Sequence, residues 1–256
     1  MGAYSEYLDK QLSFEQLTKE RKVQLAEISR LRGGRDIIVF AADLNKGNAP
    51  ISITYGDILP FQDQLSNLSG SAIDMILETP GGSGEVAEDI VRLLRSRYEE
   101  VGIIVAGYAK SAGTIIAMSA DEILMDAASS LGPIDAQIQW QGKVFAADAL
   151  LEGMKRIKKE VEETGLLNKA YIPILQGISP GELQDAENAL AFAESLVTDW
   201  LARYKFRTWL THASNGRAVT GDERATRAAE IAKQLCDHKR WLSSLVRKFG
   251  DVFYAA

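Results

Sequence analysis

Two short segments of this chain carry the residue types that acyl transfer requires. The first is Ala109-Lys110-Ser111-Ala112-Gly113-Thr114. It follows the apolar run Val101 to Ala106 and opens the small-residue stretch Ala112 to Ala120, which reads as a helix. A serine at such a strand-to-helix turn projects its hydroxyl above the sheet, beside the backbone N–H of the next residue. That is the geometry of a nucleophile elbow, although the sequence is not of the G-x-S-x-G form. The same serine also suits an ordinary helix N-cap. The second segment is Gly81-Gly82-Ser83-Gly84, again between an apolar run and a helix. Glycine admits positive φ and leaves its N–H groups open. The start of a helix favours negative charge, so an oxyanion could be held there. The alternative is a tight turn without chemistry. A phosphate cradle would need a Walker lysine or a full dinucleotide fingerprint after the glycines, and neither is present.

Each turn alone is a weak signal; as a pair they are stronger. Successive parallel strands bring both turns to one carboxyl edge, where open α/β sheets bind ligands. One turn supplies a nucleophile and an N–H, the other a second N–H. A tetrahedral intermediate needs two such fixed donors.

The elements that must position these turns can be read from periodicity. Residues Tyr4 to Arg32 carry leucines and isoleucines at helical spacing and predict an amphipathic leader helix, stopped by Gly33-Gly34. It suits packing on its own domain or contact with a second copy equally well. Asp36 to Ala41, Ile51 to Tyr55, Ala72 to Glu78, Val101 to Ala106 and Glu122 to Met125 read as strands, with helices over Ile58 to Leu68, from Val86 to Leu94, and from Ala112. This alternation predicts an α/β fold with a mostly parallel sheet covered on both faces. After Gly142 the pattern turns helical, over Ala146 to Glu163, Leu167 to Leu175, Ser179 to Thr211 and Glu223 to Phe249. The expected organisation is an N-terminal amphipathic helix (1-34), a catalytic core (35-145), and a helical extension of the same domain (146-256).

Composition removes several function classes. With 46% hydrophobic and 25% charged residues the chain is ordinarily globular. A net charge of −6 argues against nucleic-acid binding, which needs a basic excess. One cysteine, Cys236, cannot form a thiolate cluster, and two histidines, His212 and His238, are too few for a metal site without carboxylate help, so no metal or cofactor is expected. No apolar run approaches the ~20 residues of a membrane helix. The start, Met1-Gly2-Ala3-Tyr4, has no signal-peptide character, so a cytoplasmic location is expected.

Four ordered segments resemble the serine dehydrogenase proteinase family: Thr79 to Gly84, Ala109 to Thr114, Ser119 to Asp126, and Leu131-Gly132-Pro133-Ile134-Asp135-Ala136-Gln137. That family is similar to the Clp protease proteolytic subunit and to signal peptide peptidase A. The resemblance is strong over about Ile37 to Gln139 and continues weakly around Ala228 to Leu242. It implies a Clp/crotonase-like stack of ββα units, with Ser111 attacking a peptide carbonyl and the N–H groups of Gly82 and Ala112 forming the oxyanion hole. It also implies a peptide or protein substrate and a homo-oligomer.

Several residues are candidates for the general base. Asp135 falls near the place where Clp protease carries a histidine. Signal-peptide-peptidase-like members use a lysine further along, and Lys143 is the candidate here. A lysine serves if burial lowers its pKa, although Lys143 also suits a solvated loop. Lys110 is set aside, because neighbouring side chains on such a turn diverge. The late segment Asp237 to Ser244 resembles the family's tail, but Ser243-Ser244 stands where a histidine is expected, which leaves His238 as an alternative. The leading expectation is a serine peptidase. A catalytically silent scaffold of the same fold and a crotonase-like acyl-CoA enzyme are the alternatives.

Overall fold

The structure, a computed structural model, describes residues 3–44, 46, 49–140 and 143–237; at residues 3, 4, 8, 137–140 and 143–145 it describes the backbone only. The leader forms two helices rather than one: α1 (Ala3–Asp9) and α2 (Phe14–Leu31). The break has a local cause. Gln11 takes a φ of 45°, and Ser13 starts α2 with a capping box, accepting from Gln16 N while the Gln16 side chain accepts from Ser13 N.

Strands β1 (Asp36–Ala41), β2 (Ala72–Thr79), β3 (Glu100–Ala109) and β4 (Glu122–Met125) lie side by side in that order, and the short β5 (Ser130–Leu131) pairs with the end of β3. Every pairing in this sheet is parallel, as the alternating pattern predicts. In the middle of β2, consecutive residues Ile73, Asp74 and Met75 are all fully buried. Successive side chains point to opposite faces, so both faces are covered there.

Helix α3 (Ile58–Ser66) precedes β2, α4 (Gly84–Arg95) joins β2 to β3, and α5 (Ala112–Met118) joins β3 to β4. In α4 the buried positions Val86, Ala87, Ile90, Val91 and Leu94 recur at helical spacing. Each of its larger apolar side chains contributes roughly 1.5–3 kcal/mol on burial. All residues of α5 are buried, which its small side chains allow. The expected strand over Ile51 to Tyr55 is reduced to one bridging residue, Ile53, opposite Gly82; a 3-10 turn, Tyr55–Asp57, follows at once.

After β5 the chain makes an antiparallel hairpin, β6 (Gln137–Trp140) and β7 (Lys143–Ala146), then α6 (Ala147–Thr164), α7 (Ile172–Gln176), α8 (Pro180–Trp200) and α9 (Gly221–Cys236). Helix α8 packs on α5, α6 and α9. It is shorter than the sequence pattern suggests, because residues Leu201–Lys205 widen into a π-helical turn before the chain leaves the helix. The expected helix beyond Asp237 lies outside the described residues.

At the amino end of the sheet, α2 is anchored by charge. Asp74 is fully buried in β2 and accepts from Arg32 Nε at 2.5 Å. Arg35 Nε lies 2.7 Å from its other oxygen. The two arginines continue outward to Glu122 and Glu100. Gly102 on the neighbouring strand leaves the room that the Asp74 carboxylate occupies.

Candidate active site

The two glycine- and serine-bearing turns meet because their strands end together. Thr79 and Ala109 are register partners on β2 and β3, and Lys110 N donates to Thr79 O at 3.0 Å. The chain then leaves both strands at the carboxyl edge, side by side. Gly81 sits so close to the other turn that a Cβ there would stand 2.7 Å from Lys110 O and 2.8 Å from Ser111 Cβ. Gly82 packs on the backbone of Ile53, where a Cβ would overlap main-chain atoms, and its φ is 152°. Ile53 N donates to Gly81 O and Ser83 N to Ile53 O. A parallel bridge of this kind uses the neighbours of Gly82 and leaves its own N–H free of that strand.

Ser111 has a φ of 47° and a ψ of −116°, a conformation that non-glycine residues adopt only where the surroundings hold them in it. It occupies the N-cap position of α5, yet its side chain makes no capping bond. Ser83 at the start of α4 does cap, accepting from Val86 N at 3.3 Å. The Ser111 hydroxyl instead crosses to the next segment and donates to the main-chain O of Asp135 at 3.1 Å. Neither Gly82 N nor Ala112 N is hydrogen-bonded to any described residue. Ala112 opens α5, where the first N–H groups have no intrahelical acceptor.

Several bonds fix the segment that carries Asp135. Thr114 Oγ1 donates to Ala109 O and accepts from Gly132 N. Ile134 N donates to Leu235 O on α9, and Ala147 N to Ala136 O across the base of the hairpin. Ser111, Gly82 and Ala112 open onto a cavity of about 650 Å³, with Ile134 and Asp135 on the same wall. The opposite wall is α8, through Asp185, Asn188, Ala189, Phe192 and Ala193. The sequence pattern alone assigns this helix no part in the site. Its signal is the recurrence of those positions every three or four residues, a stripe that only tertiary packing aims at Ser111.

The candidate bases fall in different places. Lys110 points away from the hydroxyl: its ammonium donates to Ser130 Oγ at 3.0 Å and Leu131 O at 2.9 Å, and burial pushes its pKa below the usual lysine range. Asp135 meets Ser111 through its carbonyl oxygen. Lys143 opens β7, paired with Trp140 at the far end of the hairpin, three residue steps or roughly 10 Å from the base beside Ala136. The Lys143 side chain and His238 lie outside the described residues. His212 lies away from the cavity, 3.0 Å from Arg217 and 3.3 Å from Glu223. Among the described residues no group of three or more His, Cys, Asp and Glu could hold a metal ion, and no helix is long and apolar enough to cross a membrane.

A parallel α/β core with a serine turn beside a glycine turn defines a class of protein, and comparison with known proteins narrows it. Residues 61–172 match the model of the ClpP-like SDH-type serine proteinase family. All four motifs that carry the sequence resemblance lie within that span, and the resemblance holds. Two uncharacterized proteins of Methanocaldococcus jannaschii are similar to this chain. One is 38% identical over 95 residues, 37% of this chain and 32% of the relative. The other is 32% identical over 133 residues, 50% of this chain and 46% of the relative. The chain therefore spans only 32% and 46% of the length of these relatives. Among solved structures, a 1510-N membrane-bound stomatin-specific protease is 22% identical, covering 51% of this chain and 65% of its own, with a TM-score of 0.34. ClpP1 from Listeria monocytogenes is 19% identical, covering 59% of this chain and 86% of its own, with a TM-score of 0.34.

Proposed function

We propose that this protein is a serine peptidase that cleaves peptide bonds through Ser111. The observation that carries the reading is the Ser111 hydroxyl, relieved of a capping role, beside two backbone N–H groups that bond to nothing described. In this reading the scissile carbonyl enters the cavity and Ser111 Oγ attacks its carbon. The hydroxyl proton passes to the Lys143 amine. The carbonyl oxygen becomes an oxyanion held by the N–H groups of Gly82 and Ala112. The amine product leaves with the proton, and water then releases the acyl group from Ser111. Asp135 orients the hydroxyl through its carbonyl. The family match over residues 61–172 supports the reaction class.

The test is treatment with a fluorophosphonate and mapping of the adduct by mass spectrometry. Labelling at Ser111, lost in Ser111→Ala, is expected. Folded protein that stays unlabelled from pH 6 to pH 10 would overturn the reading in favour of the silent scaffold. One observation favours that second reading: no histidine is among the described residues that line the cavity.

The proposal includes a homo-oligomer. Helix α2 buries no residue and leaves Phe14, Val23 and Leu31 82%, 62% and 68% exposed; Val23 and Leu31, eight residues apart, share one side of the helix, an apolar surface suited to a second copy. Light scattering at micromolar concentration should give a mass well above 28.1 kDa; a monomer would remove this part.

A further inference from the structure

One helix closes the cavity opposite Ser111, and that helix presents two kinds of surface. Ala186, Val197 and Trp200 of α8 are buried in the core. Its neighbouring stripe lines the cavity. Phe192 on that stripe keeps 37% of its surface exposed, an aromatic ring left uncovered at the mouth of a reaction site. Its ring edge and the tip of Ile115 stand 3.7 and 3.9 Å from the point where a Cβ on Gly84 would lie. Ala189 is small, and buried Ile134 adds an apolar surface to the other wall. A slot of this shape holds an apolar side chain.

The cavity is also charged. Asp185 on α8 and Glu85 at the start of α4 line it and are exposed. Glu85 accepts from the Tyr55 hydroxyl at 3.2 Å. Asp185 makes no hydrogen bond or ion pair with any described residue. None of the described residues lining the cavity is a lysine or arginine. Walls of one sign concentrate the opposite charge and disfavour their own.

We propose that α8 is the specificity wall of this site: Phe192 and Ile115 take an apolar side chain, and Asp185 with Glu85 select peptide segments that carry a lysine or arginine within a residue or two of it, against acidic segments. The inference rests on the hydrolase reading for its chemistry. Its recognition step can be measured without cleavage.

The experiment is peptide binding to Ser111→Ala, followed by fluorescence anisotropy at low salt. Labelled decapeptides are compared that differ only in having Lys, Gln or Glu on both sides of a central leucine. The Lys peptide should bind about tenfold tighter than the Glu peptide, with Gln between, and the ratio should shrink toward one in roughly 0.5 M salt. Adding Asp185→Asn and Glu85→Gln should bring the ratio within about twofold. Adding Phe192→Ala should weaken the leucine peptide but not its glycine counterpart. Equal binding of Lys and Glu peptides, a charge preference that survives the two substitutions, or no binding of any peptide would each overturn the inference. Fluorophosphonate labelling of the wild type is read separately. Labelling without charge preference removes the inference and keeps the hydrolase. Charge preference without labelling keeps the selective cleft and removes the hydrolase.

Discussion

The Ser111 hydroxyl donates to the main-chain carbonyl of Asp135, 3.1 Å away. An amide oxygen accepts a hydrogen bond but does not take a proton near neutral pH. The contact therefore aims the hydroxyl without activating it. In the proposed reaction the hydroxyl turns from this carbonyl to a base as substrate enters.

Gly82→Ala should damage the site from the backbone side. The new Cβ would collide with the main chain of Ile53, and the φ of 152° disfavours any L side chain. The turn must shift and carry its N–H out of place. The rate of fluorophosphonate labelling at Ser111 should fall about 10²–10³-fold, the usual cost of losing one oxyanion donor. Gly153→Ala, on a helix position with open space around it, is the control and should leave the rate unchanged. A Gly82→Ala rate within about threefold of wild type would count against the assigned oxyanion hole.

Lys143 as base predicts a rate that rises with pH, because only the unprotonated amine can accept the Ser111 proton. Lys110 complicates the reading. Burial lowers its pKa, so it too loses its proton below the usual lysine range as pH rises. The two are separable by substitution. Lys143→Ala should abolish the alkaline rise, and Lys110→Met should retain it. The reverse pattern would transfer the base to Lys110, and a rise retained in both would remove lysine from the mechanism.

Asp74 should matter for stability. Asp74→Ala leaves the Arg32 and Arg35 guanidinium groups, 24% and 15% exposed, facing an uncompensated site. Breaking such a buried pair costs about 3–5 kcal/mol. Urea denaturation of the variant should show a loss of that order, and proteolysis should attack α2 first. A loss below about 1 kcal/mol would mean that the charges are solvated and that α2 is held by other contacts.

Much of this arrangement was legible in the sequence, for a physical reason. The runs Ala72 to Glu78 and Val101 to Ala106 are buried strands, and their ends carry glycine and serine in positions that only unusual backbone geometry explains. The single strand expected over Ile51 to Tyr55 was not formed, because a parallel bridge at Ile53 satisfies Gly81 and Ser83 and the chain turns at once. The β6–β7 hairpin was illegible because its strands are short and no residue pair of hairpin-turn type separates two alternating runs. The role of α8 was hidden for another reason. Asp185, Asn188 and Phe192 look like one side of an amphipathic helix, and nothing local says which cavity that side faces.

The bond from Ile134 N to Leu235 O has a consequence in time. A chain leaving the ribosome completes the Ser111 turn while the residues of α9 are still unmade. Until Leu235 arrives, the carbonyl of Asp135 lacks one of the anchors that position it against the Ser111 hydroxyl. Contacts between such distant positions are late to form. The order of synthesis therefore leaves the hydroxyl loosely held on incomplete chains and sets its direction when α9 has docked.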